Sequence, residues 1–153
     1  MLRRSRHAGF GLSELLVVIA ISGVLFSIAV PMGLSYYRSA QNTTGAQQVR
    51  TLLNLARQIA IDERAFVCVH VPAPTQMTFY VNSTCTGTPW RGSITDEEGN
   101  IALPPGLTLS ASANPVFDYL GRALPPATFT VTNTAITTTV TVSVATSGRV
   151  TIP

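Results

Sequence analysis

The chain has 153 residues with 10 basic side chains, 7 acidic ones and a formal charge of +3, a length that suits one domain plus an anchor. Arg3, Arg4 and Arg6 crowd the first residues, and without them the arginines and acids balance. Bulk charge therefore does not argue for nucleic acid, and lysine is absent altogether.

The basic N-terminus ends at Gly9, and Phe10 follows it. A single glutamate, Glu14, then opens an apolar stretch. From Leu15 to Leu34 no side chain is charged, which is about the 20 residues that an α-helix needs to cross a bilayer. The arginines precede this stretch, so the N-terminus is expected in the cytoplasm and the remainder outside. A secretory signal has its cleavage site after the apolar part. Here the glycine-aromatic junction stands before it, and a cut there leaves the membrane helix on the mature chain. A carboxylate in hydrocarbon is costly and marks function by default. Pro31 should kink the helix.

These residues resemble the class III signal of type IV prepilins and type II secretion pseudopilins. The match lies in Gly9 before the cut, Phe10 as the first mature residue, Leu12, and Glu14 as the fifth mature residue, with Pro31 where pilins commonly carry a kinking proline. Gly11 departs from the pattern, which more often has threonine or serine. The resemblance implies cleavage after Gly9 by a prepilin peptidase and N-methylation of Phe10. It also implies a pairing of Glu14 with the N-terminal amine of a neighbouring subunit. Buried ion pairs are better at specifying geometry than at stabilising it, so Glu14 reads as a register device.

Beyond the anchor, Val49, Leu52, Leu53, Ala56, Ile59 and Ala60 recur at the spacing of one apolar helix face. A helix from Phe10 to Arg64 would be about 80 Å long. The Asn42-Thr43-Thr44-Gly45 stretch is expected to loosen it. Arg50, Arg57 and Arg64 recur every seven residues and read first as a solvated face; contact with a partner subunit or phosphate is the sharper alternative. The chain thus divides into a leader (1–9), a transmembrane helix half (10–34), an amphipathic helix half (35–64) and a β-rich domain (65–153).

After Arg64 the period changes to two. Phe66–Val71 reads as a strand, Pro72–Thr75 as a turn and Met77–Val81 as a returning strand. Further strands are expected at Leu107–Leu109, Val116–Leu120, Thr128–Val131 and Thr137–Val144, with Gly148–Ile152 closing the chain. Threonine alternates with valine in Thr137–Val144, as in a sheet with one wet face. Cys68 and Cys85 both follow the membrane segment, and an extracytoplasmic compartment permits a disulfide between them. The loop closed would be about 18 residues, worth roughly 3 kcal/mol on a chain-entropy view; two free thiols are the alternative. Two cysteines with only His70 nearby do not make a zinc set, and no metal or cofactor is expected. His70, among apolar neighbours, reads as structural. Asp96-Glu97-Glu98-Gly99-Asn100 is an acidic turn without the spacing of a calcium loop.

The β-rich part resembles the GspH/FimT-type minor pilins and pseudopilins. The matching pieces are Val49, Arg50, Leu53, Ala56 and Arg57 on the helix, Val67-Cys68-Val69, and Cys85 before Trp90-Arg91-Gly92. They continue with Gly99, with Phe117 and Gly121-Arg122, and with Gly148-Arg149. The resemblance implies an α+β fold, a long N-terminal helix packed on an antiparallel sheet, and a structural subunit of a type IV pilus or type II secretion pseudopilus. It implies as partners other pilins or pseudopilins, the prepilin peptidase, the inner membrane and its assembly platform. Residence would be single-pass in a bacterial inner membrane, then in the filament. Some relatives bind DNA for natural transformation, which makes Arg122 and Arg149 candidate contacts; an arginine two residues after Arg149 is missing, so DNA would be a weak partner. No nucleophile-base pair or phosphate loop suggests an enzyme.

Overall fold

The computed structural model describes residues 11–153, so Gly9 and Phe10 lie outside the described residues. The chain divides into two compact units, residues 1–37 and 38–153. A helix of 51 residues, α1 (Leu12–Asp62), contributes to both. In the first unit its large apolar side chains are exposed, Leu15, Val18, Ile21, Leu25 and Ile28 among them. By length and composition, α1 is the one described helix able to cross a membrane. Pro31 lies inside it, with helix on either side.

The second part of α1 carries the core of the second unit. Ala46, Val49, Leu52, Leu53, Ala56, Ile59 and Ala60 are buried, which is the apolar face expected from the spacing. The helix is unbroken at Asn42–Gly45, which corrects the expectation of loosening there. The reason is tertiary. Asn42 is buried and donates Nδ2–H to the Thr138 carbonyl at 2.7 Å. Gly45 lies so close to Leu107 that a Cβ would sit 2.3 Å from its Cδ1. The helix needs a small residue there to let a strand approach. Thr44 returns its hydroxyl to the Ala40 carbonyl at 3.0 Å, which satisfies it within the helix.

Nine strands follow: β1 (Val67–Ala73), β2 (Gln76–Tyr80), β3 (Asn100–Ala102), β4 (Leu107–Ala111), β5 (Val116–Phe117), β6 (Ala123–Leu124), β7 (Ala127–Asn133), β8 (Thr139–Val144) and β9 (Val150–Thr151). They form two sheets rather than the single one expected, in the orders β3-β2-β1-β5-β6 and β4-β7-β8-β9. Every pairing is antiparallel. Pro104 and Pro105, between β3 and β4, have no N–H to continue a ladder, and the chain crosses to the second sheet there. Val67, Val69, Phe79, Phe117, Phe129, Val131 and Val142 pack with the α1 face in one core. Along β7 buried and half-buried residues alternate without a break, as the pleat requires.

The turn expected at Pro72 begins two residues later, because β1 runs through Ala73. Pro72 is tolerated because the pairing with β2 is irregular between His70 and Ala73. The strand expected over Val116–Leu120 stops at Phe117. The side chain of Asp118 captures the backbone N–H groups of Leu120 and Arg122 at 3.0 and 2.8 Å and bends the chain.

Candidate assembly site

Glu14 stands in the first turn of α1, exposed, between exposed Leu12 and Leu15. A carboxylate there is favoured by the helix N-terminus. Between Gly11 and Tyr37 the sequence holds no arginine or lysine. The arrangement supplies one fixed negative charge on a long apolar surface.

A second cluster lies in the sheet unit, where Gly121-Arg122 and Gly148-Arg149 form two turns. Both glycines have positive φ, 76° and 75°. The turns touch: a Cβ on Gly148 would fall 1.7 Å from the Gly121 carbonyl oxygen. Arg57 of α1 lies beneath both. Its Nε would be 2.7 Å from a Cβ on Gly121 and 3.3 Å from one on Gly148. That Nε is buried and has no hydrogen-bond partner. Arg50 and Arg64 are exposed, but Arg57 is half-buried, so the solvated-face reading of the arginine stripe is corrected at its middle member. The two turns close over it, and only glycines leave room.

Arg122 is exposed, but its guanidinium is engaged. Its Nε and Nη2 both lie 2.8 Å from Asp118 Oδ2. Burial pushes the Asp118 carboxyl up. The backbone N–H of Arg122, its guanidinium and the N–H of Leu120 outweigh that and hold it below the usual carboxylate value. Asp118 is the organising residue that sequence reasoning missed. Its signal is an aspartate four residues before an arginine with a glycine between, the pattern of an Asx-type turn closed by an ion pair. Arg149 is exposed in the turn between β8 and β9.

The structure joins Cys68 of β1 to Cys85 of the loop between β2 and β3 as a disulfide, with Cα atoms 5.1 Å apart. His70 packs near the Tyr80 ring, with its Nδ1 buried. In the acidic turn, Asp96 accepts hydrogen bonds from the backbone of Glu98 and Asn100 at 2.9 and 2.7 Å. Among the described residues no group of three His, Cys, Asp or Glu side chains is placed to hold a metal ion.

One helix, apolar in its first part and packed on antiparallel sheets through its second, defines a pilin-like subunit with an α+β fold. Residues 4–30 match the prokaryotic N-terminal methylation motif. Residues 45–148 match the family described as type II transport protein GspH, and the chain belongs to that family. Its fold is similar to that of the type IV minor pilin FimU of Pseudomonas aeruginosa, with a TM-score of 0.60 and 14% identity over 77% of this chain and 92% of that one. It is also similar to the minor pseudopilin EpsH from the type 2 secretion system of Vibrio cholerae, with a TM-score of 0.58 and 17% identity over 74% of this chain and 96% of that one. A curated relative, a fimbrial protein of Pseudomonas aeruginosa, is 34% identical over 68 residues. That match spans 44% of the length of either protein.

Proposed function

We propose that this chain is a minor pilin or pseudopilin that inserts into, or primes, a type IV pilus or type II secretion pseudopilus. The observation that carries the proposal is Glu14, one carboxylate on an otherwise apolar, exposed helix that continues into a GspH-type sheet domain. In this reading the prepilin peptidase cuts between Gly9 and Phe10, the amine of Phe10 is methylated, and the helix remains in the inner membrane with the sheets in the periplasm. On assembly, the apolar side chains from Leu15 to Leu34 leave lipid for a helix-lined filament interior. Glu14 of one subunit pairs there with the amine of another. The pairing offsets the several kcal/mol that an uncompensated carboxylate costs in hydrocarbon, and it fixes axial register. Pro31 kinks the helix between the membrane and the sheet domain. The fold likeness to both FimU and EpsH supports the subunit class in common and leaves the machine to experiment.

The test is Glu14→Ala in the full chain. Membrane abundance is expected to stay at the wild-type level, because the change removes a costly charge. Recovery in sheared filaments or the pseudopilus fraction is expected to fall. Undiminished recovery would remove the register role. Intact mass of the membrane-extracted protein reads the processing step in the same material, with a methylated Phe10 as the expected N-terminus.

A further inference from the structure

The connection between β7 and β8, residues 134–138, is the tip of a hairpin, and two buried asparagines fasten it to α1. Asn133 donates its side-chain N–H to the Arg38 carbonyl at 3.3 Å, and Asn42 donates to the Thr138 carbonyl at 2.7 Å. The turn before β4 joins the same end. Thr134 donates its backbone N–H to the Gly106 carbonyl at 3.0 Å and its hydroxyl to the same oxygen at 3.2 Å. Arg38 is the first residue of the second unit, so the hairpin tip stands at the end by which the chain enters that unit.

This end carries a single charge. No side chain from Ala123 to Gly148 is charged, and Pro104, Pro105 and Gly106 add none. The hydroxyls of Thr134, Thr137 and Thr138 are spent on the carbonyls of Gly106 and Ile136. These threonines and Ala135 are exposed, and with the hydroxyls engaged they offer methyl groups beside half-buried Ile136. Arg38 is exposed and has no acid partner among the described residues. The next acid along α1 is Asp62, about 36 Å further on.

We infer that this end is a seat on a lipid surface, with Arg38 pairing with headgroup phosphate and the β7–β8 tip resting among the headgroups. The inference rests on the membrane reading proposed above. Continuity with the apolar stretch selects the occupant. Residues 15–37 carry no charge, and at 1.5 Å per residue they span about 34 Å, slightly more than a hydrocarbon core of about 30 Å. Arg38, the first charge after Glu14, thus arrives at the headgroups. Tyr36 and Tyr37 stand just before it in the sequence, a residue type of the membrane–water interface. The two asparagine hydrogen bonds then hold the hairpin tip at the level of that arginine. Phosphates would repel an acidic tip, and a strongly apolar one would sink into hydrocarbon; methyl groups beside bonded hydroxyls do neither. The seat keeps the sheet unit against the lipid surface until the subunit leaves the membrane.

The test uses the full chain, one copy per nanodisc of phosphatidylethanolamine and phosphatidylglycerol, which removes neighbouring subunits. A fluorophore is attached through Ala135→Cys at the tip or, for comparison, through Ser147→Cys, exposed beyond the other end of β8. The length of β8 sets the two sites about 20 Å apart. Cys68 and Cys85 are joined and do not take the label. A nitroxide on the lipid headgroups is expected to quench the Ala135→Cys label about three-fold more than the Ser147→Cys label. Arg38→Glu should bring the tip label down to the level of the comparison. Equal quenching at the two sites, or a tip signal indifferent to Arg38→Glu, would overturn the inference. A label at Val24→Cys, read with a nitroxide deep in the acyl chains, tests the spanning helix separately. Quenching there without a preference for the tip sinks the seat and leaves the membrane reading. A preference for the tip without quenching at Val24→Cys does the reverse, and the absence of both signals sinks both.

Discussion

At Gly148 the backbone of one turn rests on the backbone of another, and a methyl group there would collide with the Gly121 carbonyl. The φ of 75° adds strain for any other residue. Gly148→Ala is therefore expected to lower stability by about 2–4 kcal/mol. Gly106 is the control. Its φ is 83°, but a Cβ there meets nothing within 4 Å. Gly106→Ala should cost only the conformational part, about 1 kcal/mol. Denaturant midpoints of the detergent-solubilised variants compare the two, and equal losses would refute the close-contact role of Gly148. Asp118 supplies a second test. Its folded carboxyl is held below the ordinary value. The turn's contribution is therefore fully present above about pH 4, where the unfolded carboxyl is already ionised. It is lost as pH falls through the lower, folded value. Asp118→Asn should flatten that acid limb of a stability-pH curve. Curvature that remains belongs to other carboxylates, Asp96 among them, which the Asn100 backbone N–H holds low. An unchanged limb would show that Asp118 does not carry it. Glycine-arginine pairs were visible in the sequence, but their mutual contact over Arg57 was not, since it joins residues far apart in the chain.

At the scale of elements, α1 was the most legible. Its apolar face repeats at helical spacing, and those residues are the buried ones. Leu53→Ala, at 0% exposure on that face, is expected to cost about 2–5 kcal/mol, read as a drop in thermal midpoint. The long strands β7 and β8 were legible for the same reason, because alternation over six or seven residues has no good helical reading. The short strands β3 and β6 were not. Each has two or three residues, too few to show a period, and each exists because a neighbouring strand offers a ladder. The loop between β2 and β3 is tied to β1 by the Cys68–Cys85 bridge. Reduction should free that loop and lower stability by about 3 kcal/mol on the chain-entropy view. Urea titration with and without a phosphine reductant measures this, and non-reducing mass analysis that finds two free thiols would remove the bridge.

At the scale of the whole molecule, the division near residue 38 predicts that residues 38–153 fold without the apolar stretch. Expressed alone, they should give a cooperative melt with mixed helix and strand signals; an unfolded product would show that the apolar stretch is needed for folding. This piece carries seven arginines against six acids (Asp62, Glu63, Asp96, Glu97, Glu98, Asp118), a net of +1. Arg57 is packed and Arg122 is paired with Asp118. DNA binding at about 150 mM salt should therefore be weak, with a shallow salt slope. Sub-micromolar binding in an anisotropy titration, abolished by Arg122→Ala with Arg149→Ala, would contradict that. The sequence by itself determined the long apolar stretch, the position of its carboxylate, the helix face and the α+β class. Those properties are local: hydropathy over one span and periodicity along one element. The tertiary structure alone decided the split into two sheets and the seating of Arg57 under two glycine turns. These depend on which strands pair, and pairing brings together residues that no period in the chain relates.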